Sequence, residues 1–219
     1  GYGIAISGAF AVLASLSIAT LAASMNRKTL LLLLTGLMCV SALVVGLATS
    51  YAMYMAGRAL IGVVVGGFWS MSVAVAMRLV PKAKVPRALA IFYGGNALAT
   101  VVAAPLGSYL GGSIGWRGAF LCLVPVALLA LAWQWFSLPS MPAAARVAAS
   151  GNVFKLLRNR LVALGMLAVG IFFMGQFVLF TYVRPFLESV TRVGLPTLSM
   201  ILLVIGLAGV VGTALIGTF

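Results

Sequence analysis

The sequence predicts an all-α integral membrane protein, a bundle of about seven transmembrane helices. Of its 219 residues, 64% are hydrophobic and 7% charged, too little charge to cover a soluble domain of that length. Apolar runs near 20 residues recur along the whole chain, each long enough to cross a hydrocarbon core as helix. Lysine and arginine are confined almost wholly to the joints between those runs. Together these features exclude an ordinary soluble fold.

In chain order the runs fall at 2–24, 29–49, 54–77, 88–111, 118–137, 161–183 and 197–219. The joints read as turns, with Gly and Pro marking the helix ends: "SMNRK", "TSYAM", "RLVPKAKVPR", "GGSIGWR", a long stretch over 138–160, and "RPFLESVTRVGLP". Alternate joints should face the same side. The first, third and fifth hold ten of the fourteen basic residues, including Arg27, Lys28, Arg78, Lys82, Lys84 and Arg87. The second, fourth and sixth hold Arg117, Arg184 and Arg192, which leaves Arg58 inside a run. The positive-inside rule places the first set in the cytoplasm.

A net charge of +13 in a soluble protein would suggest nucleic acid, but here loop placement accounts for it, and no nucleic-acid partner is expected. The expected partners are the lipid bilayer and a small solute. Histidine and aspartate are absent, and Glu188 stands alone among carboxylates, so no acid–base pair can be assembled within the chain. Cys39 and Cys122 lack metal-ligand spacing and read as small buried residues. No phosphate-loop motif appears. No enzymatic activity, cofactor or metal is therefore expected.

The chain opens at Gly1 and stops at Phe219, each inside an apolar run, with no basic segment ahead of the first. This reads as an internal piece of a longer protein. The fifth joint is Pro- and Ala-rich and then basic, as a cytoplasmic linker between two membrane lobes would be, 1–137 and 161–219. Its last part, "VFKLLRNR", reads either as a short interfacial helix or as the basic lead-in to the next span.

Three runs carry polar features. At about 100° per residue, Arg58, Gly62, Val65, Trp69 and Ser72 share one face of the third, and Gly62 with Gly66 forms a small-xxx-small pair. Arg58 has two readings, a functional cation beside a cavity or a side chain snorkelling to the interface. In the fourth run Tyr93, Asn96, Thr100, Ala103 and Gly107 share a face, and Pro105 lies among small residues, which predicts a bend and tight helix packing. In the sixth, Phe173, Gln176, Phe180 and Val183 share a face. That amide between rings could hold a flat polar solute or could bond a neighbouring helix. Arg184-Pro185 reads as the helix end, with Glu188 in an outer loop.

Four stretches resemble the major facilitator superfamily, in its twelve-span drug:proton antiporter branch: "GRALIGVVVGGFW", "AAPLGSYLGG", "GSIGWRGAF" and "FTYVRPFL". The runs "GGFWSMSVAVAMRLVP", "APLGSYLG" and "GQFVLFTYVRP" resemble, more narrowly, the bacterial purine ribonucleoside (inosine and guanosine) efflux pumps. That resemblance implies a partial major facilitator bundle, helices two to eight of twelve, with 138–160 as the central loop. It implies proton-driven export of nucleosides across a bacterial inner membrane by a monomer, with arabinose-like sugars or drugs as alternative solutes. A channel or seven-helix receptor is the rival from another class.

The resemblance further assigns Arg58, Gly62, Gly66, Pro105 and Gly107 to the coupling motifs. Arg58 would tune a carboxylate carried on a helix outside this chain. Trp69, Tyr93, Asn96, Phe173, Gln176 and Phe180 would line the solute path. Asn26, Arg27 and Lys28 match a cytoplasmic gate loop, where relatives carry Asp at the position of Asn26. A neutral amide cannot form the same charge-assisted bond, so the latch is expected to be weaker.

Overall fold

The computed structural model describes residues 2–142 and 158–216, with residues 19–24, 104, 195 and 213–216 described by backbone alone. Eight helices are described: α1 (Tyr2–Ser24), α2 (Arg27–Gly46), α3 (Tyr51–Leu79), α4 (Val85–Ser113), α5 (Gly115–Leu121), α6 (Leu123–Ser137), α7 (Arg160–Ser189) and α8 (Leu195–Ile216). No strand occurs among the described residues. Within the described residues each expected run is mainly helical. Five segments, Arg27–Gly46, Tyr51–Leu79, Lys82–Ser113, Gly115–Ser137 and Arg160–Ser189, are long and apolar enough to cross a membrane. Tyr2–Ile18 and Pro196–Gly212 are shorter apolar helices among the described residues.

Local chemistry sets the boundaries. The side chains of Asn26, Ser50 and Asn159 accept bonds from Lys28, Met53 and Leu161 and so cap α2, α3 and α7. Gly115 has φ +77°, which lets α5 start immediately after α4 ends. The fifth run is broken at Cys122, three residues before Pro125, whose ring nitrogen cannot donate to the preceding turn. Cys122 is therefore exposed at a helix junction, against the expectation of burial, while Cys39 is buried as expected.

A second boundary also differs. α7 does not stop at Arg184-Pro185 but runs through Pro185 to Ser189. Arg184 Nε donates to Glu188 Oε1 at 2.8 Å across the proline, and Val190 N donates to the Phe186 carbonyl. Glu188 thus belongs to the last turn of a helix, and this i,i+4 pair helps carry that turn past the missing donor.

The first three helices pack closely. A Cβ at Gly62 would overlap the Ser7 carbonyl, and one at Gly66 the Ala11 carbonyl. Equal steps of four on both helices make α1 and α3 parallel neighbours in backbone contact, the use that small-xxx-small spacing serves. At one end Ile18, Leu30, Leu31, Met71, Val75 and Met141 form a buried cluster. There the first and fifth joints meet, with Arg27 N donating to the Met141 carbonyl at 3.0 Å. The second and fourth meet at the other end, where Arg117 Nη2 donates to the Ala48 carbonyl at 2.8 Å. Joints an even number apart share an end, as alternating spans require.

α4 packs on α8, the second large association. Val101 and Ser108 of α4 and Leu198 and Leu202 of α8 are buried along this seam. A Cβ at Gly206 would stand 2.9 Å from Val101 Cα. The close approach therefore lies at Val101–Gly206 and not at Gly107, where an added Cβ would meet open space. The face Tyr93–Asn96–Thr100–Ala103–Gly107 is exposed, and α4 runs unbroken through Pro105. No residue of α7 is buried. Most of "VFKLLRNR", with Arg146 and Lys155, lies outside the described residues.

Candidate functional site

Arg58 sits in the second turn of α3 and is half-buried. Its Nε donates to the Gly3 carbonyl at 3.2 Å, and its own carbonyl accepts from Ser7 Oγ at 2.8 Å. Among the described residues its bonding partners are thus backbone and hydroxyl groups of α1. Neither neutralises the guanidinium. Arg58 also lines a cavity of about 130 Å³ with Ser41, Val45, Ile61, Phe120 and Leu123, where α2, α3, α5 and α6 converge. Ser41 Oγ is committed to the Gly57 carbonyl at 2.8 Å, so the cavity is mainly apolar around one cation.

Trp69 stands about 16 Å further along α3. The face that sequence periodicity drew as one is divided: Gly62 and Ser72 are buried, while Val65 and Trp69 are exposed. Trp69 meets Phe92 edge to face at 5.7 Å, and Phe92 meets Tyr93 at 5.3 Å. Phe68, Trp69, Phe92 and Asn96 line a recess of about 270 Å³ between α3 and α4. A wall of rings beside a carboxamide can stack a flat solute and hydrogen-bond its edge. The structure thus brings Trp69 and Asn96 to one recess, while Tyr93 packs behind it on Phe92. Phe68 and Phe92 complete the wall and were missed, although Phe92 stands one turn before Asn96.

Phe173, Gln176 and Phe180 are not brought to this recess. They lie exposed on α7, with Phe173 edge to face against its neighbour Phe172 at 5.7 Å.

The loop residues Asn26, Arg27 and Lys28 assemble on the start of the fifth joint. Asn26 Nδ2 donates to Ser140 Oγ at 2.7 Å, and Asn26 Oδ1 accepts from Met141 N at 3.1 Å. Lys28 Nζ donates to the Trp135 carbonyl at 2.7 Å and so caps the end of α6. Arg27 Nε is buried without a partner among the described residues.

Five segments long and apolar enough to cross a membrane, with helices in close backbone contact, define the class as a multi-pass helical membrane protein. The chain belongs to the Major Facilitator Superfamily, whose family model matches residues 1–219. It is 68% identical over 219 residues to the transcription regulatory protein OpdE of Pseudomonas aeruginosa, covering 99% of this chain and 54% of that protein. It is 38% identical over 215 residues to the purine ribonucleoside efflux pump NepI of Escherichia coli K12, covering 98% of this chain and 54% of that pump. The Shigella dysenteriae pump of the same name is likewise 38% identical. The chain thus spans about half the length of the curated relatives it matches.

Proposed function

We infer that the full-length protein is a secondary transporter of the bacterial cytoplasmic membrane, exporting purine ribonucleosides in exchange for protons. In this reading the basic joints are cytoplasmic, 1–137 and 161–219 belong to two lobes, and 138–160 connects them. The observation that carries the solute class is the wall of Phe68, Trp69 and Phe92 with Asn96 at its edge, which suits a flat, hydrogen-bonding base. The 38% identity to pumps of that name supports the same solute. Arg58 is the coupling cation. Its charge lowers the pKa of a nearby carboxylic acid and sets when that acid takes a proton. Glu188 is engaged by Arg184 at a helix end, so the acid lies on a helix outside residues 1–219.

Everted vesicles containing the full-length protein test this. An imposed proton gradient should drive inosine uptake, with arabinose and a cationic dye taken up at least tenfold more slowly. Arg58→Ala should insert normally and lose gradient-driven uptake. Dye uptake in preference to inosine, or full coupling in Arg58→Ala, rejects the reading.

A second reading has one observation in its favour, the 68% identity to a protein named as a transcription regulator. Here transport changes the level of a cytoplasmic solute, and transcription follows that solute. Transcript profiles of a deletion strain, complemented with wild type or with Arg58→Ala, separate the two activities. Restoration by the transport-dead variant would show regulation without transport.

A further inference from the structure

Hydroxyls within the helices of this chain mostly satisfy themselves. Ser15, Ser70, Ser72, Thr100 and Ser113 each donate to a carbonyl three or four residues back, at 2.6 to 2.9 Å. That local bond is what makes a hydroxyl tolerable in an apolar helix. Ser108 departs from the pattern. It is 2% exposed, and its Oγ has no hydrogen-bond partner among the described residues. An unmade bond at a buried hydroxyl needs a reason, and service to a ligand is one.

Ser108 also lines a cavity. About 540 Å³ opens at the end of the α4–α8 seam remote from the basic joints, bounded by Ser108, Tyr109, Gly112, Ser113, Pro196 and Ser199. Its size lies in the range of small-molecule sites. None of these six residues is charged, so an ionic solute would give up its hydration there without a counter-charge. Four carry hydroxyls. A hydroxyl both donates and accepts, and its best match is another group that does both. The Tyr109 ring and Pro196 offer apolar surface to the carbon face of a ring.

We propose that this cavity is a binding subsite for the hydroxylated ring of a neutral sugar-bearing solute, with Ser108 Oγ as its hydrogen-bond anchor. The ring is that of a free pentose or the ribose of a nucleoside. The subsite deepens the export reading and rests on it for direction: a solute leaving the path at the end away from the basic joints passes this seam last.

The test uses purified full-length protein in nanodiscs, with radiolabelled inosine, D-ribose and hypoxanthine, the base without its sugar. Ser108→Ala should weaken inosine and ribose binding about three- to tenfold and leave hypoxanthine unchanged. Ser108→Thr, which keeps the hydroxyl, should retain at least half of the wild-type affinity. In a Cys122→Ala background, Ser108→Cys should react with a small methanethiosulfonate reagent more slowly when inosine or ribose is present. Equal affinity in Ser108→Ala, together with no sugar protection of Ser108→Cys, overturns the subsite even if inosine is exported. Ribose protection without inosine export keeps the subsite, assigns it to a free sugar and rejects the nucleoside reading alone.

Discussion

The backbone of Met141 is bonded on both sides to the first joint: its amide donates to Asn26 Oδ1 at 3.1 Å and its carbonyl accepts from Arg27 N at 3.0 Å. The Met141 side chain then closes the buried cluster of Ile18, Leu30, Leu31, Met71 and Val75. The neutral amide that cannot make a charge-assisted bond makes three neutral ones instead, to Ser140, Met141 and Lys28. Asn26 is at once the cap of α2 and the anchor of the connecting loop.

Asn26→Ala removes both roles. Loss of the cap costs about 1 kcal/mol. Hydrogen exchange of the full-length protein should show faster exchange at the amides of Lys28 and Met141, with α3 unchanged. Asn26→Asp keeps the acceptor, so both amides should stay close to wild-type protection.

The two glycine-rich stretches should answer substitution oppositely. At Gly66 an alanine methyl would press on the Ala11 backbone, which cannot rotate away as a side chain can. Gly66→Ala should destabilise the bundle by about 1–3 kcal/mol, read as a lower melting temperature in detergent. Gly107 has open space around it, so Gly107→Ala should be neutral or mildly stabilising.

These contrasts show where sequence reading succeeds and where it stops. Apolar runs report the helices well, because a span needs unbroken hydrophobicity whatever it packs against. Gly62 and Gly66 are legible for a related reason: a four-residue step of small side chains has one main use in a membrane. The packed face of α4 is not legible in the same way, because small residues announce room for a partner and not its position. Leu198, Leu202 and Gly206 decide that the partner lies over Val101 and Ser108. The Asn26–Met141 bond spans 115 residues, and no local pattern marks it. In the aromatic recess, Phe92 hides behind Tyr93 because consecutive helical residues point about 100° apart and only one fits a single-face template.

Within the bundle, buried Thr35 donates to Gln134 Oε1 at 3.0 Å, joining α2 to α6. A double-mutant cycle of Thr35→Val and Gln134→Leu should give a coupling near 0.6 kcal/mol and no more than about 1.7 kcal/mol, as membrane interhelical bonds do. The single Thr35 proton has the Leu31 carbonyl, also at 3.0 Å, as an alternative acceptor, which keeps the hydroxyl satisfied when Gln134 is lost. Gln134→Leu alone should therefore be the milder single change, measured by unfolding in mixed micelles.

Stacking at the recess predicts an aromatic requirement at Trp69. An alanine there removes one wall and leaves Phe92 and Tyr93 in place, at a cost of about 1–3 kcal/mol per stacked base. Trp69→Ala should weaken inosine binding by at least fivefold, while Trp69→Phe should recover most of it. If both variants bind inosine as wild type does, the recess is not on the solute path.

If α4 and α8 belong to two lobes, as proposed above, their seam offers a direct test of how those lobes move. At Gly206 a Cβ would lie 3.3 Å from Val101 Cβ and 2.9 Å from Val101 Cα, closer than the Cβ separation of about 3.5–4.5 Å that a disulfide spans. The two helices must part by a few tenths of an ångström to take the bond, after which Val101→Cys with Gly206→Cys should cross-link under mild oxidant in a Cys122→Ala background. Alternating access by rocking of one lobe against the other requires this contact to open in each cycle. Oxidation should then stop inosine transport in the full-length protein, and dithiothreitol should restore it. Each single-cysteine variant should transport regardless of oxidant. Undiminished transport by the oxidised, fully cross-linked protein would mean that the seam stays closed throughout the cycle and that opening occurs between other helices.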